Sequence, residues 1–212
     1  LSLLSPVDDP LYQRYRPTLA QPAASGTPFT EDPRLNWHPA ASKLATLHGE
    51  GKVTVFPAIG YSGADQSHFT SRHFWEIGEV EVGQTTGWLG RYIDVTGEEG
   101  NPLQGLSLDG VLSPMLATAS RPVAAIDNVG KFDLPSPLED PVKAGMFRSF
   151  ETFGSLPSDS LGLAQVRGAI AQTANLRRDL SAFEGFTSPV RYPDSTFARR
   201  LAGLAAMLGM GL

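Results

Sequence analysis

Apolar residues are spaced unevenly along the chain, and their spacing predicts few strands and more helices. The run V-T-V-F-P-A-I over Val53–Ile59 is β-branched and aromatic, and predicts a buried strand that Pro57 ends early or keeps at an edge. A polar, Gly-containing loop over 60–66 follows, then S-H-F-T-S-R-H-F-W-E-I-G, which predicts a helix from about Ser67 to Ile77. Leu106 and Leu108 mark a short extended piece, and P-V-A-A-I over Pro122–Ile126 a second strand of small residues. The strongest helical pattern runs from about Ser158 to Glu184. There Val166, Ile170, Thr173, Leu176, Leu180 and Phe183 advance by threes and fours along one face. Ser158 or Asp159 can cap its start and Gly185 its end. A last helix starts near Asp194 or Ser195, with Phe197, Leu201, Leu204 and Leu208 as its buried stripe.

Weaker patterns fill the intervals. L-Y-Q-R-Y-R predicts a short helical turn closed by Pro17, and the Ala-, Pro- and Gly-rich stretch from Ala20 to Pro33 a surface loop. Pro39 suits the first position of a helix bearing Leu44, Leu47 and His48, with Gly49 or Gly51 as a left-handed cap. T-T-G-W-L-G-R-Y-I-D-V predicts a turn or helix around Trp88–Asp94, and Ser113–Ala119 a short helix with Pro114 first. Met146, Phe147, Phe150 and Phe153 are spaced as core positions of a helix. Strand–helix alternation makes this an α/β layered chain. It is read as one domain over 1–212, with exposed loops at about 20–33, 97–105 and 133–141. Two strands are too few for a central sheet against that many helices. The opening L-S-L-L-S-P and the apolar pattern still running at Leu212 add to the expectation of an incomplete domain.

Composition narrows the function classes. The chain has 212 residues, 41% apolar and 18% charged, with a net charge of −5. No cluster of Lys and Arg provides the footprint of a nucleic-acid binder or a polybasic membrane anchor. With no cysteine, disulfides, thiolate catalysis and Cys-ligated metals are excluded. No apolar run approaches the roughly 20 residues of a membrane span.

Candidate chemistry centres on Ser67. At the first turn of a helix, unpaired N–H groups and the helix dipole favour an anion. A hydroxyl there can attack a phosphate or sulfate ester that those groups hold, or it can simply cap the helix. His68 and His73 are five residues apart, about 140° around a helix, so they do not share the face on which paired histidines grip zinc. His68 can orient a substrate or loop, whereas His73, among Phe69, Phe74 and Trp75, is expected to be packed and hydrogen-bonded. His38 and His48 have ordinary capping explanations. Asp65, Asp94, Asp109, Asp127 and Asp133 all fall in loops or at strand ends. Asp127, directly after P-V-A-A-I, can face a ligand, but an Asx turn with Asn128 and Gly130 is the favoured account. No nucleophile elbow, P-loop or dinucleotide fingerprint is present.

Four stretches in order, D-P-L-Y-Q-R-Y-R-P-T-L-A, W-H-P-A-A-S-K-L, S-H-F-T-S-R-H-F-W-E-I-G and T-G-W-L-G-R-Y-I-D, resemble the bacterial domain-of-unknown-function family numbered fifteen hundred and one. R-P-V-A-A-I-D-N-V-G-K-F-D-L and F-A-R-R-L-A-G-L-A-A-M-L also fit it. The resemblance implies the alkaline phosphatase/sulfatase-like fold, a three-layer sandwich with helices on both faces of a mixed sheet, of which the first strand and C-terminal strands would be missing here. It implies an exported, periplasmic or extracytoplasmic protein related to metal-dependent phosphate or sulfate ester hydrolases. A small anionic ester would be the substrate, and a divalent metal ion would be held mainly outside this chain. Ser67 and His68 match the family's Ser-His-Phe motif as candidate catalytic residues, and Asp65 stands just ahead of it. Trp75, Glu76, Trp88, Gly90 and Arg91 also match; structural roles are expected, with Arg91 to be tested as a substrate-anion contact beside Asp65. The alternative is a non-catalytic scaffold of the same fold that binds a partner at the cell envelope through the aromatic regions around Trp75 and Trp88.

Overall fold

Asp9 opens the first helix: its carboxylate accepts from the N–H of Leu11 at 2.7 Å and of Tyr12 at 3.4 Å, with Pro10 at the first helical position. In the computed structural model, which describes residues 3–64, 66–133 and 136–211, a short strand (β1, Leu4–Ser5) precedes this helix (α1, Pro10–Tyr15). The described residues form a mixed helix-and-sheet fold in which helices dominate and every strand is two residues long. The chain divides into two compact units, Leu1–Ser62 and Gly63–Leu212.

In the first unit, β2 (Thr27–Pro28) and β1 flank β3 (Asn36–Trp37) in an antiparallel sheet of order β1-β3-β2, with Leu4 and Thr27 both opposite Trp37. Phe29 and Trp37 meet edge to face at 5.8 Å, an arrangement aromatic quadrupoles favour. With Ala41 they form the core, against which Val55 packs. Phe29 thus anchors the unit from inside the 20–33 stretch read as a bare surface loop, because one large ring suffices to pin a loop. Gln21 is buried there too, donating from Nε2 to Ser5 Oγ at 2.9 Å, while Gln13 Nε2 donates to the carbonyls of Val7 and Gln21. A turn over Pro39–Ala41, capped by His38 Nδ1, leads into α2 (Ser42–Gly49), and Gly51 follows in the left-handed conformation. His48 does more than cap: its ring lies 5.1 Å from Phe29, and Nε2 is 3.1 Å from Glu31 Oε1.

The expected strand at Val53–Ile59 is not formed. Val53 and Val55 are half-buried while Thr54 and Phe56 are exposed, so the alternation of an extended segment is present. No ladder partner runs beside it among the described residues, and side-chain propensity alone makes no sheet.

In the second unit, α3 (His68–Ile77) and α4 (Trp88–Thr96) come first. β4 (Leu106–Ser107) then pairs in parallel with β5 (Ala124–Ala125), Leu106 opposite Ala124. Between them, the expected helix over 113–119 shortens to a single turn, Pro114–Leu116. A helical hairpin follows, α5 (Val142–Ser155) and α6 (Leu161–Leu180), and then α7 (Thr196–Met210). Of α5's aromatics Phe147 is buried, whereas Phe153 is exposed. The α6 stripe is buried only where it meets β5 and α7: Leu176, Leu180 and Phe183 join Ile126, Val129 and Met207 in the core, and Val166 is exposed. Ser195 caps α7 as expected, accepting from the N–H of Ala198 at 3.2 Å. Its expected stripe is mostly outward, however, with Leu204 half-buried. Ala198, Ala206 and Met207 face inward while Phe197, Leu201 and Leu208 are exposed. Small side chains let α7 approach closely: a Cβ on Gly203 would lie 2.9 Å from Val129 Cγ2.

Asp94 near the end of α4 holds the loop that precedes β5. Its carboxylate accepts from the N–H groups of Ala119 (2.7 Å), Ser120 (2.9 Å) and Arg121 (2.9 Å), and from Ser120 Oγ at 3.0 Å. Burial raises its pKa, but these hydrogen bonds to the charged form together outweigh burial and bring it from 3.8 to about 2. Such a depressed group stabilises the fold fully above its unfolded pKa of 3.8, and that contribution is lost as pH falls towards about 2. Asp94→Ala should therefore cost about 1–3 kcal/mol at neutral pH. Urea unfolding across acidic pH should show the gap to wild type closing; a gap independent of pH would disprove the carboxylate's role.

Candidate functional site

The N-terminus of α3 is built from three consecutive residues. Gln66 is left-handed at φ 61, a strained state for a non-glycine residue. Ser67 then turns extended (φ −76, ψ 120) as the N-cap, and its Oγ accepts from the Thr70 N–H at 3.2 Å. Its carbonyl accepts from Ser71 at 2.9 Å. His68 is the first helical residue and is exposed. The N–H groups of His68 and Phe69 have no protein acceptor among the described residues, as expected for a helix start. Ser67 and His68 are thus adjacent at an open helix N-terminus, with the hydroxyl engaged as a cap. Asp65 lies outside the described residues.

Arg91 sits at the other end of α3. Its Nη1 donates to the Thr86 carbonyl at 2.8 Å and Nη2 to the Ile77 carbonyl at 2.8 Å, and Nη2 is 3.1 Å from Glu79 Oε1. The guanidinium is therefore occupied in capping α3 and joining it to α4. Glu76 pairs with Arg72 one turn away at 2.8 Å, and Gly78 ends the helix at φ 70, its N–H donating to Phe74. His73 is packed, but its buried Nε2 has no hydrogen-bond partner among the described residues, contrary to expectation. Phe69 is 90% exposed, and Trp75, Trp88 and Tyr92 are also exposed.

Three further candidate carboxylates, Asp109, Asp127 and Asp133, are bound in ion pairs. Asp133 pairs with Lys143 at 2.6 Å and Arg177 at 2.8 Å. Asp127 makes no Asx turn; that role falls to Asn128, whose Oδ1 accepts from Gly130 at 3.1 Å. Asp109 and Asp127 each stand two residues past the end of β4 or β5, in matching register, and both bind Arg200 of α7. Arg200 Nε donates to Asp127 Oδ1 at 2.8 Å, and Nη2 reaches both Asp127 and Asp109, the latter at 3.0 Å. Sequence reading missed this clasp, although L-S-L-D and A-A-I-D repeat one strand-then-Asp pattern. Among the described residues no group of three or more His, Cys, Asp or Glu is placed to hold a metal ion, and no helix is long and apolar enough to cross a membrane. Compared with known protein families, curated proteins and solved structures, the chain matches none.

Proposed function

We propose that this chain is part of an exported protein with an alkaline phosphatase/sulfatase-like sandwich fold, and that the α3 N-terminus takes the anionic group of a phosphate or sulfate ester. The observation that carries this reading is Ser67 capping α3 directly after left-handed Gln66, beside the open N–H groups of His68 and Phe69. Those groups and the helix dipole suit an anionic ester oxygen. Ser67 Oγ bonds to the phosphorus or sulfur as the ester C–O–P or C–O–S link to the alcohol breaks. His68 takes the hydroxyl proton and passes it to the departing alcohol oxygen, and water later cleaves the bond to Ser67 Oγ, releasing the anion and restoring the hydroxyl. The described residues do not fit a metal centre, so no step here runs through one. If the resemblance to that family holds, divalent-ion ligands would come from sequence outside these residues.

The test must separate nucleophile from cap. Ser67→Asn keeps a good capping oxygen and removes the nucleophile, whereas Ser67→Ala removes both and costs about 1 kcal/mol of stability. With the protein at its natural length, p-nitrophenyl phosphate and sulfate hydrolysis in added Zn²⁺, Mg²⁺ or Ca²⁺ should vanish in both variants, and the thermal midpoint should fall only in Ser67→Ala. Activity retained by Ser67→Asn would sink the reading. A second reading is favoured by the exposed Phe69, Trp75, Trp88 and Tyr92: a non-catalytic envelope scaffold that presents α3 and α4 to a partner. Absence of any ester hydrolysis by wild type would favour it.

A further inference from the structure

The Arg200 clasp borders a cavity of about 410 Å³, lined among others by Ile126, Asp127, Asn128, Phe186, Ser188 and Arg200, within the size range of small-ligand pockets. Its chemistry selects among ligand classes. A cation would have to displace Arg200, which already bridges Asp109 and Asp127. An anion would meet Asp127 at a guanidinium whose charge two carboxylates already offset, and neighbouring Arg199 is paired with Asp194 at 3.0 Å. A purely apolar ligand would cut polar groups off from water without replacing their hydrogen bonds.

Several of those groups have unused capacity. Among the described residues, Arg200 Nη1 and Asn128 Nδ2 have no acceptor and Asp127 Oδ2 no donor. Ser188 Oγ accepts from Val190 at 3.2 Å and keeps its own proton to donate. Phe186, packed edge-on to Phe183 at 6.3 Å, leaves 42% of its surface open. Donors and acceptors mixed at near-zero net charge beside an apolar ring match a molecule whose hydroxyls both donate and accept and whose C–H face can cover the ring. We propose that this cavity binds a neutral saccharide.

Saturation-transfer NMR on the natural-length protein, with glucose, galactose, mannose and their disaccharides at millimolar concentration, tests this. Transfer to sugar C–H protons is expected, with affinity reduced about five-fold in Phe186→Ala. Asn128→Ala, at an exposed side chain, should weaken binding with the fold intact by circular dichroism, and keeps the test decisive if Phe186→Ala does not fold. Inorganic phosphate should not compete. No transfer from folded protein to any sugar, transfer unchanged in Asn128→Ala, or displacement by phosphate would each overturn the proposal.

Discussion

Gly90→Ala should lower the stability of the 63–212 unit by about 3 kcal/mol, the upper end of the usual overpacking cost. The reason is rigid backbone: a Cβ on Gly90 would lie 1.9 Å from the Ala117 carbonyl oxygen and 2.5 Å from its carbon. A flexible side chain could swing away, but this carbonyl also accepts from the Gly87 N–H at 2.9 Å. Gly87 is equally constrained, its Cβ falling 2.0 Å from the Met115 carbonyl oxygen. The two glycines, three residues apart, lay the start of α4 directly on the 114–117 turn. At about 2–4 °C per kcal/mol for a unit of this size, the thermal midpoint should drop by roughly 6–12 °C. Gly100→Ala, where a Cβ meets nothing within 4 Å, is the control. Equal midpoints for Gly90→Ala and Gly100→Ala would mean that α4 and the turn are not in backbone contact in solution.

The same glycines explain part of what was legible. In T-G-W-L-G-R-Y every marked residue has a local duty. Gly87 and Gly90 permit close approach, Trp88 packs on Gly78, where a Cβ would lie 2.8 Å from its own, and Arg91 caps α3. That block therefore needs no ligand to account for it, and Arg91 loses ground as an anion contact. Local signals were mostly read well because local chemistry makes them: Ser67 and Ser195 as caps, Gly51 and Gly185 as left-handed stops, Pro114 starting a turn; α6, however, opens after Ser160 rather than at Ser158 or Asp159. Long-range facts were not. Whether Val53–Ile59 becomes a strand depends on a neighbour that spacing cannot reveal. The burying face of α7 depends on Val129, which accepts alanines and a glycine rather than leucines. The Arg200 clasp joins residues 73 and 91 positions apart, a separation at which sequence pattern carries no information. Half of the candidate site is a local feature, Ser67 and His68 at a helix start, and so it could be found.

Two phenylalanines read from sequence as equivalent stripe positions should behave oppositely. Phe183 is fully buried among Ile126, Val129, Leu180 and Met207, at the end of α6. Truncating it removes a whole ring and leaves a void bounded by β5, α6 and α7, so Phe183→Ala should cost about 3–5 kcal/mol. That approaches the entire stability of a marginal domain, about 5–15 kcal/mol. Phe197 on α7 is 73% exposed, and Phe197→Ala should stay within about 0.5 kcal/mol of wild type. Urea unfolding should show a much lower midpoint with an unchanged slope for Phe183→Ala, and a superimposable curve for Phe197→Ala. The contrast is diagnostic because both substitutions delete the same side chain from a helical stripe. A comparable loss from Phe197→Ala would mean that the outer face of α7 is covered in solution, and that its leucine stripe, rather than the alanine face, carries the larger share of the helix's burial.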